Sequence, residues 1–423
     1  MAGKKDLMRT PLRILGCVAL AAPLLATGCG GDARSDGELV ISVWDDGREE
    51  TSIDVAAREF EKANAGVTVT VKKTPFDQHL QALRRQLGTG QAPDVALTVL
   101  GYGESGTSRS LADKGLLTDL GGASWAGEIP KEFGSVVGDG SKVYGFPIDS
   151  MAIGVFAKKG TPEPETFSDV LTRCRDAAAD GKAAFAMAGH EASKMPHIVG
   201  FALAGSAVYA DDPAYDEKRL KDQVTFAGTA GWVKAVERYK EMVDADCFAE
   251  GAAGATREAA ARALGEGEAE MVVAPTVTLP LWQAAAPDET FTMFPFPGAD
   301  DPARVRVPAG PSSGLVVPTK ASAPELAKKF IDHYAADRVR YTKLDGAVPA
   351  IPAGPDAERV PGYAAALEPY IQDGKTSPIM DQHWPNPELI TAFDGGLVKI
   401  MNGGSGPADV LESMDAAWTT KAP

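Results

Sequence analysis

The chain has 423 residues, with 58 Asp and Glu against 42 Lys and Arg, a formal net charge of −16. A surface that acidic repels phosphate backbones and anionic head groups, which excludes nucleic acid as a partner and membrane attachment through a basic patch. The length exceeds what one hydrophobic core organises, so two domains are expected.

Lys4, Lys5, Arg9 and Arg13 precede a mostly apolar run over residues 14–26. A basic stretch followed by an apolar segment too short to span a bilayer comfortably is the pattern of a secretory signal. The string LATGC at 25–29 resembles a bacterial lipobox, which implies a signal peptide of residues 1–28 and lipidation at Cys29. Cys17 is a poorer candidate, because almost no apolar run precedes it. Residues 29–37 are polar and glycine-rich, as a flexible tether from a lipid anchor would be. The expected location is extracytoplasmic, at the outer face of the cell membrane.

The run LVISVW at 39–44 stops at Asp45-Asp46-Gly47 and predicts a strand buried on both faces. Ile53, Ala56, Ala57 and Phe60 follow at helical spacing, up to Asn64-Ala65-Gly66. Val67, Val69 and Val71 then alternate with Thr68, Thr70 and Lys72, which is strand spacing. Phe76, Leu80, Leu83 and Leu87 form a second helical stripe, and DVALTV at 94–99 predicts a third strand. This βαβαβ order implies a parallel sheet with right-handed crossovers, and ligands of such sheets bind beyond the carboxyl ends of the strands. Asp45, Asp46 and residues 98–102 sit at those ends, so a pocket is expected there.

The strand ending in Trp44-Asp45, FEKANAGVTV at 60–69 and GQAPDV at 90–95 together resemble the opening of extracellular solute-binding proteins of family 1. These are the sugar-type receptors of bacterial ABC importers, a group that includes the maltose-binding protein. LADKGLL at 111–117 and VYGFPIDS at 143–150 match later patterns of the same family. The resemblance implies an α/β fold of the two-lobed periplasmic-binding-protein type II, each lobe a mainly parallel sheet flanked by helices. Lobe 1 would comprise 38–150 and 312–352, and lobe 2 would comprise 151–311 and 353–423. Helices are expected at 166–180, 229–244 and 256–264, a strand at 268–274, and C-terminal helices at 389–401 and 409–418. Residues 101–110 read as a loop over the cleft mouth. An exported chain favours pairing Cys174 with Cys247, and family members carry a Cys pair near these positions; two buried free thiols are the alternative.

Two motifs of catalytic and phosphate chemistry are missing from the sequence: it has no G-x-x-x-x-G-K-S/T and no H-E-x-x-H. His190 and His197 are spaced poorly for a metal, and none is expected, nor any cofactor. A sugar offers hydroxyls to carboxylates and amides and apolar faces to aromatic rings. The candidate contacts are therefore Asp45, Asp46, Thr98 and Asp149 at strand ends and the crossover, Trp44 beneath them, Glu191 in GHE at 189–191, and His383 with Trp384 in a Pro-bounded loop. Trp232 and Trp418 fall on helical stripes and read as core. Thr276 and Asp394 stand roughly where the maltose-binding protein places stacking Trp residues, so maltose itself is not the expected ligand.

The resulting expectation is a substrate-binding lipoprotein, not an enzyme. It would be a monomer that captures a carbohydrate, an oligosaccharide by preference, and delivers it to the transmembrane subunits of an ABC permease by hinge closure. Three alternatives remain open: a non-sugar ligand such as a glycerophosphodiester, a secreted carbohydrate-active enzyme, or a ligand-sensing partner of a membrane kinase. The first would favour an Arg or Lys at a strand end, where the opening loop offers Arg48.

Overall fold

Thr51 opens the first helix with a capping box, its hydroxyl accepting from Asp54 N while the Asp54 carboxylate accepts from Thr51 N. Short local devices of this kind set the elements. In the computed structural model the described residues are 37–418, apart from 46, 192 and 194. The predicted lipidation site Cys29, the signal segment and Asp46 lie outside them. Numbering the principal elements, β1 is Glu38–Asp45, α1 Ser52–Ala63, β2 Thr68–Pro75, α2 Phe76–Thr89 and β3 Val95–Val99. Then come β4 Phe146–Pro147, β5 Ser150–Lys158, α3 Phe167–Ala179, β6 Ala183–Phe185, α4 Pro196–Ala204 and α5 Ala230–Asp244. Next are α6 Arg257–Glu266, β7 Ala269–Pro275, β8 Phe291–Phe294, β9 Val307–Pro311 and β10 Ser313–Val316. The chain closes with α7 Pro324–Ala336, α8 Arg338–Leu344, β11 Thr376–Ser377, α9 Pro387–Met401 and α10 Pro407–Ala417.

Two sheets organise the fold. The first is five-stranded in the order β2-β1-β3-β10-β4. β1 pairs in parallel with β2 along its whole length, from Glu38↔Thr68 to Asp45↔Pro75, and with β3 at Ile41↔Val95. The returning strand β10 runs antiparallel to β3 and β4. Ile41, Val43, Phe60, Phe146, Phe330 and Tyr334 fill the core between this sheet, α1 and α7.

The second sheet is six-stranded, in the order β11-β9-β5-β7-β6 with β8 also on β5. The βαβαβ opening meets the expectation of parallel pairing, whereas β5 departs from it: it is antiparallel to β7, β8 and β9. The reason is its origin, since β5 is the strand that enters from the first sheet and so runs against those built within the second. Phe156, Phe185, Phe201, Trp232, Tyr239 and Phe393 make up much of the second core, which α9 and α10 also enclose. Cys174 on α3 and Cys247 after α5 are joined in a disulfide across 73 residues of sequence. A loop of that length gives about 4 kcal/mol in the chain-entropy account of cross-linking. Among the described residues no helix is long and apolar enough to cross a membrane.

Candidate ligand-binding cleft

A cleft of about 900 Å³ lies between the two sheets. Strand β1 reaches it at Trp44, β3 at Val99 and β7 at Pro275, so the carboxyl ends of strands from both sheets open into it. Its volume is in the range of small-molecule sites.

The floor is made where the chain passes between lobes. Ile148 N donates to Ser313 O at 2.9 Å, Ser312 N to Asp149 O at 2.8 Å, and Ser150 N to Val348 O at 3.1 Å, so three crossing segments run side by side. The Asp149 carboxylate accepts from Ser313 Oγ at 2.7 Å and Ser313 N at 3.1 Å. Burial pushes this carboxyl up to about 6; the Ser313 bonds oppose the rise and the Asp345 charge adds to it.

On the first-lobe wall, half-buried Trp44 meets the His79 ring edge-on at 5.7 Å. Arg48 Nη1 lies 2.7 Å from Asp345 Oδ1, which also accepts from Ser52 N at 3.0 Å. Ser52 Oγ donates to Asp345 Oδ2 and shares a 2.8 Å hydrogen bond with Tyr334 OH.

The second-lobe wall is largely apolar, formed by residues 273–283 with Met195 and Ile198. Trp282 Nε1 donates to Thr278 Oγ1 at 2.9 Å, and Tyr363 OH donates to Thr276 O at 2.7 Å. The Tyr363 ring is stacked on Phe156 at 5.9 Å. His197 Nδ1 lies 3.0 Å from Asp394 Oδ1, which also accepts from His197 N at 3.1 Å. Arg257 Nε donates to Ser193 O at 2.7 Å, and burial lowers the pKa of its guanidinium. No group of three or more His, Cys, Asp or Glu among the described residues is placed to hold a metal ion.

A family model described as bacterial extracellular solute-binding protein matches residues 56–368, well over half of the chain. The chain belongs to the bacterial extracellular solute-binding proteins. Membership places it outside the cytoplasm. It is similar to a protein of Brucella abortus named as a binding protein, with 21% identity over 372 residues, 84% of this chain and 85% of that one. Among solved structures it is similar to the bacterial solute receptor AcbH, described as preferring β-D-galactopyranose, with TM-score 0.73 and 19% identity over 90% of this chain and 98% of that one. A chain from work on xylan utilisation by Caldanaerobius polysaccharolyticus gives TM-score 0.72 and 17% identity, covering 90% and 99%. At these identities the likeness is one of fold: two lobes of α/β structure.

Of the residues singled out from the sequence, this solute-binding protein brings Trp44 and Asp149 to the cleft. Glu104 and Gly103 also line it, from the loop expected at its mouth. Five others are placed elsewhere. Asp45 is exposed and accepts from Gly47 N at 3.0 Å, closing a local turn. Thr98 is fully buried and donates to Gly106 O at 2.8 Å; its neighbours Leu97 and Val99 line the cleft, and strand alternation turns Thr98 away. Glu191 is exposed and off the lining. Trp384 is 1% exposed, packed at 5.6–6.1 Å among Phe201, Phe226, Trp232 and Phe393, and so belongs to the second core.

His383 is also off the lining, with Nδ1 3.4 Å from Ser135 Oγ. Burial, with the Arg109 charge adding, pushes its imidazole down to about 4. Its turn reaches the first lobe through Tyr102 N, which donates to Gln382 O at 3.0 Å. Gly101 permits this approach: it has φ +83°, and a Cβ there would fall 2.6 Å from Gln382 Cβ. The lining residues that sequence reading passed over are Ser52, Asp345, Arg257 and Tyr363. None of them carried a local signal: Arg257, directly after the helix-capping Thr256, reads as a surface residue.

Proposed function

We propose that this solute-binding protein is the receptor of an ABC importer that captures a carbohydrate between its lobes. Closure about the three crossing segments delivers the sugar to the transmembrane permease subunits. The observation that carries this reading is the cleft itself: a hinge-like floor of adjacent crossing segments, Trp44 on one wall and Tyr363 on the other, and hydroxyl and carboxylate groups between them. Aromatic faces suit the apolar C–H faces of a sugar, and Asp149 and Ser52 suit its hydroxyls. Ligand contacts from both lobes favour the closed state by their differential binding. The sugar preference described for AcbH, and the xylan context of the second structural neighbour, point the same way. Lobe 1 is then 38–150 with 312–352, and lobe 2 is 151–311 with 353–423. The receptor acts as a monomer tethered by lipid on Cys29, without a cofactor and without turnover of its ligand.

A thermal-shift screen against mono- and oligosaccharides tests this, since a ligand at 100 times its Kd adds about 2.7 kcal/mol. Trp44→Ala should lower the affinity of the sugar found. Silence across the sugars, or release of cleaved products during incubation, would remove the reading. For the anchor, Cys29→Ser should free the protein from the membrane fraction and Cys17→Ser should not. A second reading, a glycerophosphodiester ligand, is favoured by one observation, the Arg257 guanidinium on the second-lobe wall.

A further inference from the structure

We propose that Arg257 anchors an oxyanion carried by the ligand, so that the cleft prefers an acidic sugar, a uronate or a sugar phosphate, to its neutral counterpart. This rests on the carbohydrate reading above and narrows it. Among the described residues, two arginines line the cleft. Arg48 is committed to Asp345 at 2.7 Å. Arg257 gives its Nε to a neutral backbone carbonyl, Ser193 O, and its two terminal nitrogens make no hydrogen bond or ion pair among the described residues. A partly buried guanidinium with no carboxylate in ion-pair contact is only partly compensated, and a ligand that supplies such a contact recovers desolvation cost. The planar fork matches a carboxylate or phosphate with two parallel N–H···O bonds, whereas a sugar hydroxyl offers only a neutral acceptor.

The surroundings support an anion on this side of the cleft. Arg257 is the first residue of α6, and Met195, His197 and Ile198, around the start of α4, lie on the same wall. The positive ends of two helices therefore add to the guanidinium, as secondary contributions to a site that the side chain itself defines. Glu104, Glu258 and Asp394 act on Arg257 through space, but none forms an ion pair with it. Asp394 is occupied by both nitrogens of His197 that face it, the backbone N and Nδ1. The neighbouring apolar stretch, which includes Val273, Val277 and Leu281, offers an anion no competing charge.

The test is titration calorimetry on the full chain with matched probes: D-galactose, D-galacturonate and D-galactose 1-phosphate, D-glucose, D-glucuronate and D-glucose 6-phosphate, digalacturonate, and glycerophosphocholine. Each is run on the wild type, Arg257→Gln and Arg257→Lys. The expected result is that an acidic probe binds at least about tenfold tighter than its neutral partner, that Arg257→Gln abolishes this preference, and that Arg257→Lys keeps part of it. Carboxylate and phosphate probes separate the two sources of the anion. The ligand-free melting temperature of Arg257→Gln should be unchanged or higher, because an only partly compensated charge has been removed. Neutral sugars binding as tightly as acidic ones overturn the inference and leave the carbohydrate function standing. Glycerophosphocholine binding alone, lost in Arg257→Gln, keeps the anchor and overturns the carbohydrate reading. A lower melting temperature with an unaltered acidic-to-neutral ratio makes Arg257 a structural residue and overturns the inference as well, as does the failure of every acidic probe to bind.

Discussion

On the first-lobe wall of the cleft, Asp345 takes Arg48 and both donors of Ser52, and Ser52 passes the network on to Tyr334. On the second-lobe wall the polar groups are few, and the apolar surface is backed by an aromatic cluster of Phe201, Phe226, Trp232, Trp384 and Phe393. One wall is held in shape by charge and hydrogen bonds, the other by packing. A wall of satisfied polar groups presents fixed donors and acceptors to a ligand, while a packed wall presents shape. The two walls should therefore fail differently under mutation.

The largest effect is expected from Trp384→Ala, which empties the aromatic cluster behind the second wall. A cavity of that size in a core costs about 3–5 kcal/mol. Ligand affinity, measured by calorimetry on protein that remains folded, should stay within about threefold of wild type, since Trp384 does not line the cleft. Trp384→Phe, which keeps most of the packing, should lose far less stability. A large affinity loss with unchanged stability would instead place this ring in the site.

Asp345→Ala breaks the other wall. It leaves Arg48 and two Ser52 donors without their acceptor, and the partial exposure of the Arg48 side chain, 32%, moderates the cost. A loss of about 2 kcal/mol in denaturant unfolding is expected. Unlike Trp384→Ala, this change should also weaken the ligand, because the residue lies on the cleft surface. Equal and purely structural losses in both variants would erase the contrast between the walls.

The floor between them responds to pH. The Asp149 carboxyl is lifted from 3.8 to about 6, so the folded protein holds this proton more tightly than the unfolded chain. Stability from this group is therefore greatest at low pH, declines as pH rises through the interval between those two values, and is at its minimum above it. Asn at 149 keeps an acceptor for Ser313 and removes the charge. Asp149→Asn should gain about 1–2 kcal/mol over wild type above pH 7, with the difference closing at pH 4 and below. A difference independent of pH would mean that the carboxyl titrates normally.

These contrasts also mark what the sequence discloses. The alternation of Val67, Val69 and Val71 and the stripe of Ile53, Ala56, Ala57 and Phe60 are local patterns, and the strand and helix they predict are present as β2 and α1. Thr98 shows where local pattern stops: β3 is apolar on both sides, so nothing in DVALTV says which parity faces the cleft. Trp384 sits beside prolines in a stretch that reads as an exposed loop. Its partners Phe201 and Trp232 are over 150 residues earlier in the chain, and only the tertiary fold brings them together. Arg257 fails for the converse reason: a basic residue in the first turn of an amphipathic helix reads as surface, and its place on the cleft depends on how α6 leans against the second sheet.

The smallest effect is expected at Asp45, where the strand end and the acidic side chain made a sugar contact attractive. The carboxylate is exposed and, among the described residues, accepts only from Gly47 N at 3.0 Å, two residues on, the pattern of an Asp that stabilises its own turn. It does not line the cleft, although Trp44 immediately before it does. Asp45→Ala should cost less than about 0.5 kcal/mol of stability and leave ligand affinity unchanged. Trp44→Ala, one position earlier, should weaken binding by about 1–3 kcal/mol through the loss of a stacking face. Parity along β1 and the turn that follows decide this difference between adjacent residues. If calorimetry showed Asp45→Ala weakening the ligand as strongly as Trp44→Ala, the loop after β1 would have to fold over the cleft on binding, and the first wall would extend to a residue that here faces solvent.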